Sequence, residues 1–391
     1  PGGHFNVFKS GSIPHKEDEN TYEWGKPDPL ALNDLREGHD VLSTWRVETL
    51  SFNAPWTAPN GKPENMEQLK VKTITDDTSV QFNHGNRDLT AADFEFASIR
   101  LSKPEVYRYQ KFTQNAYGWS ENTKDGYVVW QKIPAGTYGY MPVPEASKVP
   151  NVEVWGKIND GGDWQHLATV RWTSGSPQLV YAARGASLSG DTVAFPRGTN
   201  VTDLRTVFNT ERSGIIFYAY PTVRLKATPA IKQQVERLYA NSSSPSTAIR
   251  NKAVMSAYAA DGRKIMTSQV KAADNKLSGA SVGVRAHKKI KVHNATQDDK
   301  ANRLARFTYT VTVHEQSNLT TREQYQKAID RKIFKPETSG VFYDLLPARV
   351  VPDMKSIKLR EGDSLKNAYT VENYKGSGRT LLVVEAGLRP H

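Results

Sequence analysis

The sequence predicts a mainly β protein of antiparallel β-sandwich modules with one or two short helices, and three observations predict it. Residues 305–314 read A-R-F-T-Y-T-V-T-V-H, with Phe307, Tyr309, Val311 and Val313 on one face and threonines on the other. That unbroken alternation marks a half-buried antiparallel strand. Residues 152–158 and 164–172 alternate in the same way around Asn159-Asp160-Gly161-Gly162, a strong short-range hairpin signal. The composition combines only 38% hydrophobic residues with 8 Trp, 17 Tyr and 13 Phe, which suits β modules with thin cores and much surface.

Taken in order, residues 1–38 are polar and rich in Pro, Gly and Asn, a leader or linker held locally by Tyr22 and Trp24. Strands are predicted at 41–50, 69–74 and 79–82. Phe94 and Phe96 and then, after a slip in phase, Ile99 and Leu101 mark another strand. Residues 106–140 are dense in aromatics and interrupted by Gly118, Gly126, Gly136 and Gly139, so short strands with tight turns are expected. This belt fills a core or presents rings to a sugar, and core is the commoner use. More strands are expected at 178–182, 215–220 and 222–226.

Thr228-Pro229 opens a helix, with Thr as N-cap, Pro at the first position, and Ile231, Val235, Leu238 and Tyr239 as its apolar stripe. Residues 252–260 and 264–270 flank Asp261-Gly262 as a further hairpin. The small polar stretch 272–284 is a plausible boundary. It separates a larger β module, residues 39–275, from a second one, residues 285–391. In the second, strands are expected at 289–292, 305–314, 356–360, 369–373 and 380–386, with a helix at 321–330.

No catalytic constellation emerges. Gly279-Ala280-Ser281-Val282-Gly283 has the spacing of a nucleophile elbow, but a strand follows where that motif needs a helix. Gly376-Ser377-Gly378 precedes a strand, so no helix N-terminus stands ready for a phosphate. The 9 histidines form no metal-binding pair. Asn159, Asp160 and Asp163 lack the repeated oxygen ligands of a calcium loop. No metal and no cofactor is expected.

The formal charge of +11 fits either anionic partners, such as teichoic acids, nucleic acid, sulfated glycans or anionic membrane surfaces, or a soluble surface that is simply basic, and the spread of the charges along the chain favours the latter. The one dense basic cluster is Arg285 to His293. The absence of cysteine rules out disulfides, thiol catalysis and thiolate metal sites. No apolar run is long enough for a membrane helix. The abrupt ends and the missing signal peptide read as a fragment of something longer.

Ser339 to Pro347, S-G-V-F-Y-D-L-L-P, and Asn367 to Val384, N-A-Y-T-V-E-N-Y-K-G-S-G-R-T-L-L-V-V, resemble repeat domains of wall-anchored surface proteins from Gram-positive bacteria, notably actinobacteria. Residues 251–265, N-K-A-V-M-S-A-Y-A-A-D-G-R-K-I, look like the closing strands of such a unit. The resemblance covers roughly residues 246–388 and implies immunoglobulin-like modules strung as a stalk or adhesin. Residues 150–226 are similar in V-E-V-W, N-D-G-G-D-W and V-R-L-K to discoidin-like jelly rolls, a class that often binds sugars.

Modules of the first kind often carry Lys–Asn isopeptide bonds, formed by a desolvated lysine amine beside an amide polarised by a protonated acid. By position, Asn251 is the candidate acceptor, with Lys70 or Lys72 as donor. The expectation is a non-enzymatic, extracellular, cell-wall-associated stalk or adhesin that binds a host or bacterial glycan or protein without membrane insertion. The alternative is a carbohydrate-binding module accompanying a glycosidase. Nucleic acid, through Arg285 to His293, is not the expected partner.

Overall fold

The computed structural model describes residues 4–11, 15–16, 30–52, 56–57, 63–64, 71–81, 89–122, 127–209, 214–258, 262–268, 270–333 and 338–389. The chain is mainly β and divides into two units, Pro1–Leu319 and Thr320–His391.

In the first unit, helix α1 (Ala31–Arg36) leads into β1 (Val41–Phe52). There follow β2 (Val71–Gln81), β3 (Phe94–Leu101), β4 (Glu105–Lys111), β5 (Ala116–Asn122), β6 (Tyr127–Ile133) and β7 (Tyr138–Pro142). Next come β8 (Val152–Ile158), β9 (Gly161–Thr173), β10 (Val201–Asn209) and β11 (Gly214–Leu225). Helix α2 (Pro229–Asn241) precedes β12 (Ser246–Tyr258) and β13 (Lys271–Ser278). The unit ends in β14 (Val282–Val292), α3 (Gln297–Ala301) and β15 (Phe307–Ser317).

Two antiparallel sheets form. The first runs β6-β5-β7-β4-β11-β3, extended by Thr192–Ala194 and Ser187–Ser189, while β1 lies along the other side of β11 and takes His4–Gly11 on its outer edge. The second runs Ser176–Ala182, β9, β8, β10, β2, β12, Lys264–Thr267, with β13 also on β12.

Both sheets send side chains into one core. Val41, Trp45 and Val47 of β1 and Ile215, Phe217, Ala219 and Val223 of β11 meet Val152, Val154, Leu167, Val170, Leu204, Phe208, Ile249 and Met255 of the second sheet. The Phe208 and Phe217 rings touch at 5.5 Å. Alternation assigns the faces: in β1 and β11 the odd-numbered residues enter this core and the even-numbered ones leave the opposite face free for other work. Buried polar groups tie the layers. Trp45 Nε1 donates to the Ala273 carbonyl at 3.1 Å, and Asn275 Nδ2 donates to Ser43 Oγ at 2.7 Å and the Thr44 carbonyl at 3.0 Å.

Several local expectations hold in detail. Asn159 and Asp160 both take positive φ, as a two-residue turn between right-twisted strands requires. The slip in phase before Ile99 is a β-bulge, where Thr222 pairs Ser98 but Val223 pairs Phe96. The Thr228 hydroxyl accepts from the Ile231 amide at 3.2 Å, capping α2.

Others differ. Residues 30–36, assigned to a polar leader, form α1 with Leu30, Ala31, Leu32 and Leu35 wholly buried. The polar flanks hid that short apolar run. Tyr22 and Trp24 lie outside the described residues. The strands expected at 69–74 and 79–82 merge into β2, because Asp76 and Asp77 continue the ladder between them. The stretch 272–284 is mostly strand, and the division of the chain falls after Leu319. Asn318 explains that join: its Nδ2 donates to the Gly279 carbonyl at 2.6 Å and its Oδ1 accepts from the Ser281 amide at 3.0 Å.

The second unit contains α4 (Arg322–Asp330), capped by the Thr321 hydroxyl, then β16 (Ser339–Leu345), β17 (Ser364–Val371) and β18 (Leu381–Gly387). These strands form one antiparallel sheet in the order β16-β18-β17. The strand expected at 356–360 is absent. Asp353 instead opens a short 3₁₀ turn, accepting from the Lys355 amide at 3.2 Å.

Candidate functional site

The even-numbered face at one end of the first sheet carries the aromatic belt. Leu50 and Phe52 of β1, Ile216 of β11, Tyr107 of β4, Val128 of β6 and Tyr140 of β7 form a second core there, separate from the one between the sheets. Strand register lines up one ring from each of four strands. Trp130 stands opposite Trp119, Trp119 opposite Tyr140, and Tyr140 opposite Tyr109.

Directly opposed residues share a face with Cβ atoms about 5 Å apart, so the four rings make a continuous rung. Trp130 meets Trp119 edge-on at 5.8 Å and Tyr109 meets Tyr140 at 5.1 Å. Phe52 closes on Tyr140 at 4.7 Å and on Trp119 at 5.9 Å, and Tyr138 stacks on Tyr109 at 5.5 Å. Gly118 and Gly139 serve the reverse side. A Cβ at Gly118 would lie 2.7 Å from the Phe112 ring, and one at Gly139 would lie 2.4 Å from Ile133 Cδ1.

The rung grades from buried to open. Tyr140 is 2% exposed, whereas Trp130 is 53% and its diagonal neighbour Tyr117 is 63% exposed. The belt is therefore core at one end and free ring surface at the other. Polar groups border the buried end. The Tyr107 hydroxyl donates to Glu105 at 2.8 Å and the Tyr218 hydroxyl donates to Glu48 at 3.2 Å. Burial first, and then the accepting carboxylates, push both phenols above their ordinary pKa, so both remain protonated donors. The Arg46 guanidinium lies over the Tyr218 ring at 4.8 Å and 3.7 Å from Glu48. The open ring faces of Trp130 and Tyr117 suit a ligand with apolar C–H faces.

Of the candidate crosslink residues, the register places Asn251 and Lys72 apart. Asn251 is wholly buried on β12 and pairs with Thr78 of β2. Lys72 pairs with Ala257, six positions further along, which is about 20 Å at strand spacing and beyond a lysine's reach. Lys70 lies outside the described residues.

The other motifs are structural. Gly279 enters β14, a strand, and a Cβ there would strike the Tyr239 hydroxyl at 2.3 Å. The Asp160 carboxylate accepts from the Ala91 amide at 2.8 Å and so pins a loop. His166 is stacked between Trp155 and Tyr181, at 4.8 Å and 4.0 Å. Among the described residues, no group of three or more His, Asp or Glu side chains could hold a metal ion.

The chain is a mainly β protein whose first sheet carries an aromatic face, open at Trp130 and Tyr117. No protein-family model matches the chain, and no curated protein matches it. Among solved structures, it is weakly similar to the Clostridium perfringens NetB toxin in the membrane-inserted form. That match has 8% identity over 69% of this chain and 94% of the toxin chain, with a TM-score of 0.14, and a likeness so slight carries no argument.

Proposed function

We propose that this chain is a non-enzymatic attachment module of an extracellular, wall-associated surface protein, and that its contact is a glycan taken by the aromatic face. The observation that carries the reading is the rung Trp130–Trp119–Tyr140–Tyr109. It anchors an open indole and the nearby Tyr117 phenol on a rigid sheet. Rings fixed in this way lose little freedom on binding, and stacking on the C–H face of a sugar needs such a platform. The resemblance of residues 246–388 to Gram-positive surface repeats supports an attachment role. The buried ionisable groups support a scaffold: the Glu95 carboxylate holds Arg224 and the Asn200 amide, and the Asp299 carboxylate closes a helix cap at the Thr296 amide.

A glycan array on the whole chain, followed by Trp fluorescence titration with the best oligosaccharide, tests this. Trp130→Ala is expected to weaken binding by about two- to tenfold, on the scale of an aromatic stack worth roughly 0.5–1.5 kcal/mol, with the chain still folded by circular dichroism. A flat array, or a Trp130→Ala chain that binds as well as the parent, would sink the proposal. The same site would serve a carbohydrate-binding module beside a glycosidase. Attachment of whole cells blocked by the free sugar separates the two roles.

A further inference from the structure

The hairpin β14–β15 belongs to neither sandwich sheet. Its strands pair with each other along their full length, from Val282 opposite Ser317 to Val292 opposite Phe307, as a two-stranded sheet of its own. Each strand is 11 residues long. Alternation gives the ribbon two unlike faces. Ala286, Ile290, Val292, Phe307, Tyr309, Val311 and Val313 share one with Lys288. Arg285, His287, Lys289 and Lys291 share the other with Thr308, Thr310 and Thr312.

The apolar face is left in water. Ile290 is 59%, Val292 65%, Phe307 43%, Val311 46% and Val313 40% exposed. A contiguous patch of large apolar side chains on a ribbon marks a binding surface.

We propose that this hairpin docks the protein on an anionic lipid surface, apolar face down, in the interfacial zone. Charge selects the occupant. β14 carries four cations, Arg285, Lys288, Lys289 and Lys291, and no acid. Stacking the apolar faces of two copies would press two like charges into one contact about 10 Å thick, the spacing of packed sheets and close to a Debye length. Lys288 of each copy would lie inside that contact. An anionic membrane turns the same charges into attraction. Nucleic acid would use the basic face and leave the apolar one in water, whereas a lipid interface satisfies both.

Geometry fixes the depth. A ribbon of two strands has unpaired backbone groups along both outer edges, which hydrocarbon excludes and the headgroup zone satisfies. The ribbon therefore lies along the surface. The Lys288 ammonium, now 4.3 Å from the Tyr309 ring centroid, can extend its stem to the phosphates. The base is firm. Asn318 clamps Gly279 and Ser281 as described, and Asn33 Oδ1 accepts from the Ala280 amide at 2.7 Å.

Vesicle flotation of the whole chain tests the proposal, with phosphatidylcholine alone and with phosphatidylcholine mixed with phosphatidylserine. The parent chain is expected to float with the mixed vesicles and to remain behind with the neutral ones. Val311→Asp and the double variant Lys289→Glu, Lys291→Glu are each expected to lower partitioning by about tenfold or more. Both change exposed positions, so an unaltered thermal midpoint shows that the fold survives. Trp130→Ala should float like the parent, which separates this inference from the glycan proposal. The proposal is overturned if the parent ignores the mixed vesicles or if Val311→Asp floats as well as the parent. Retention of a DNA oligonucleotide without flotation would also overturn it.

Discussion

Glu95 is the residue on which the first sheet's outer face depends. It is 1% exposed on β3, and its carboxylate receives the Arg224 guanidinium at 2.9 Å and the Gly198 and Asn200 amides at 3.0 and 2.9 Å. Burial alone would raise its pKa, but the two amides and the Lys226 and Arg224 charges outweigh it and hold the carboxyl below its ordinary value. A group whose folded pKa is depressed adds stability above its unfolded pKa and loses it as pH falls through the folded one. The parent chain should therefore lose stability in acid, from about pH 4.3 downward. Glu95→Gln should lose about 3–5 kcal/mol at neutral pH, the usual cost of breaking a buried pair, and should flatten that acid dependence. Urea midpoints at several pH values check both effects. None of this was legible in the sequence, because Glu95 and Arg224 are separated by 129 positions. The aromatic belt was visible as composition. Which rings are open depends on register, and the sequence does not state register.

At the level of elements, local chemistry made most strands readable. Asp-Gly turns, the Thr-Pro helix start and the phase slip at β3 each act over a few residues. Failures came where long-range pairing overrode local signs: β2 runs through Asp76-Asp77, and the small polar stretch before β14 is drawn into a ladder against β12. Register separates Asn251 from Lys72 in the same way. Strand order places β2 beside β12, as an Asn251–lysine bond would want, but the register sets Lys72 opposite Ala257. Digestion and mass spectrometry of the unfolded chain should yield the peptides containing Asn251 and Lys72 separately and at unmodified mass. A joined peptide lighter by about 17 Da, the ammonia lost in amide formation, would mean that this register is wrong.

For the whole molecule, the question is where one folding unit ends. Composition alone sets the boundary near residue 280, since that stretch is small, polar and poor in strand formers. The structure carries the first unit on to Leu319, because β15 returns along β14 and Asn318 closes the joint at Gly279 and Ser281. A chain ending at Leu319 keeps every one of these contacts and both apolar cores. It should unfold cooperatively at the midpoint that the first unit shows in the full chain. A chain ending at residue 281 loses the Asn318 clamp and its two hydrogen bonds, each worth on the order of 0.5–1.5 kcal/mol net. Its midpoint should fall by several degrees, with the two sheets intact by circular dichroism. If the shorter chain is as stable as the longer one, the hairpin is an appendage that folds apart from the sandwich. Its clamped base would then have to be abandoned as the support from which the ribbon is presented.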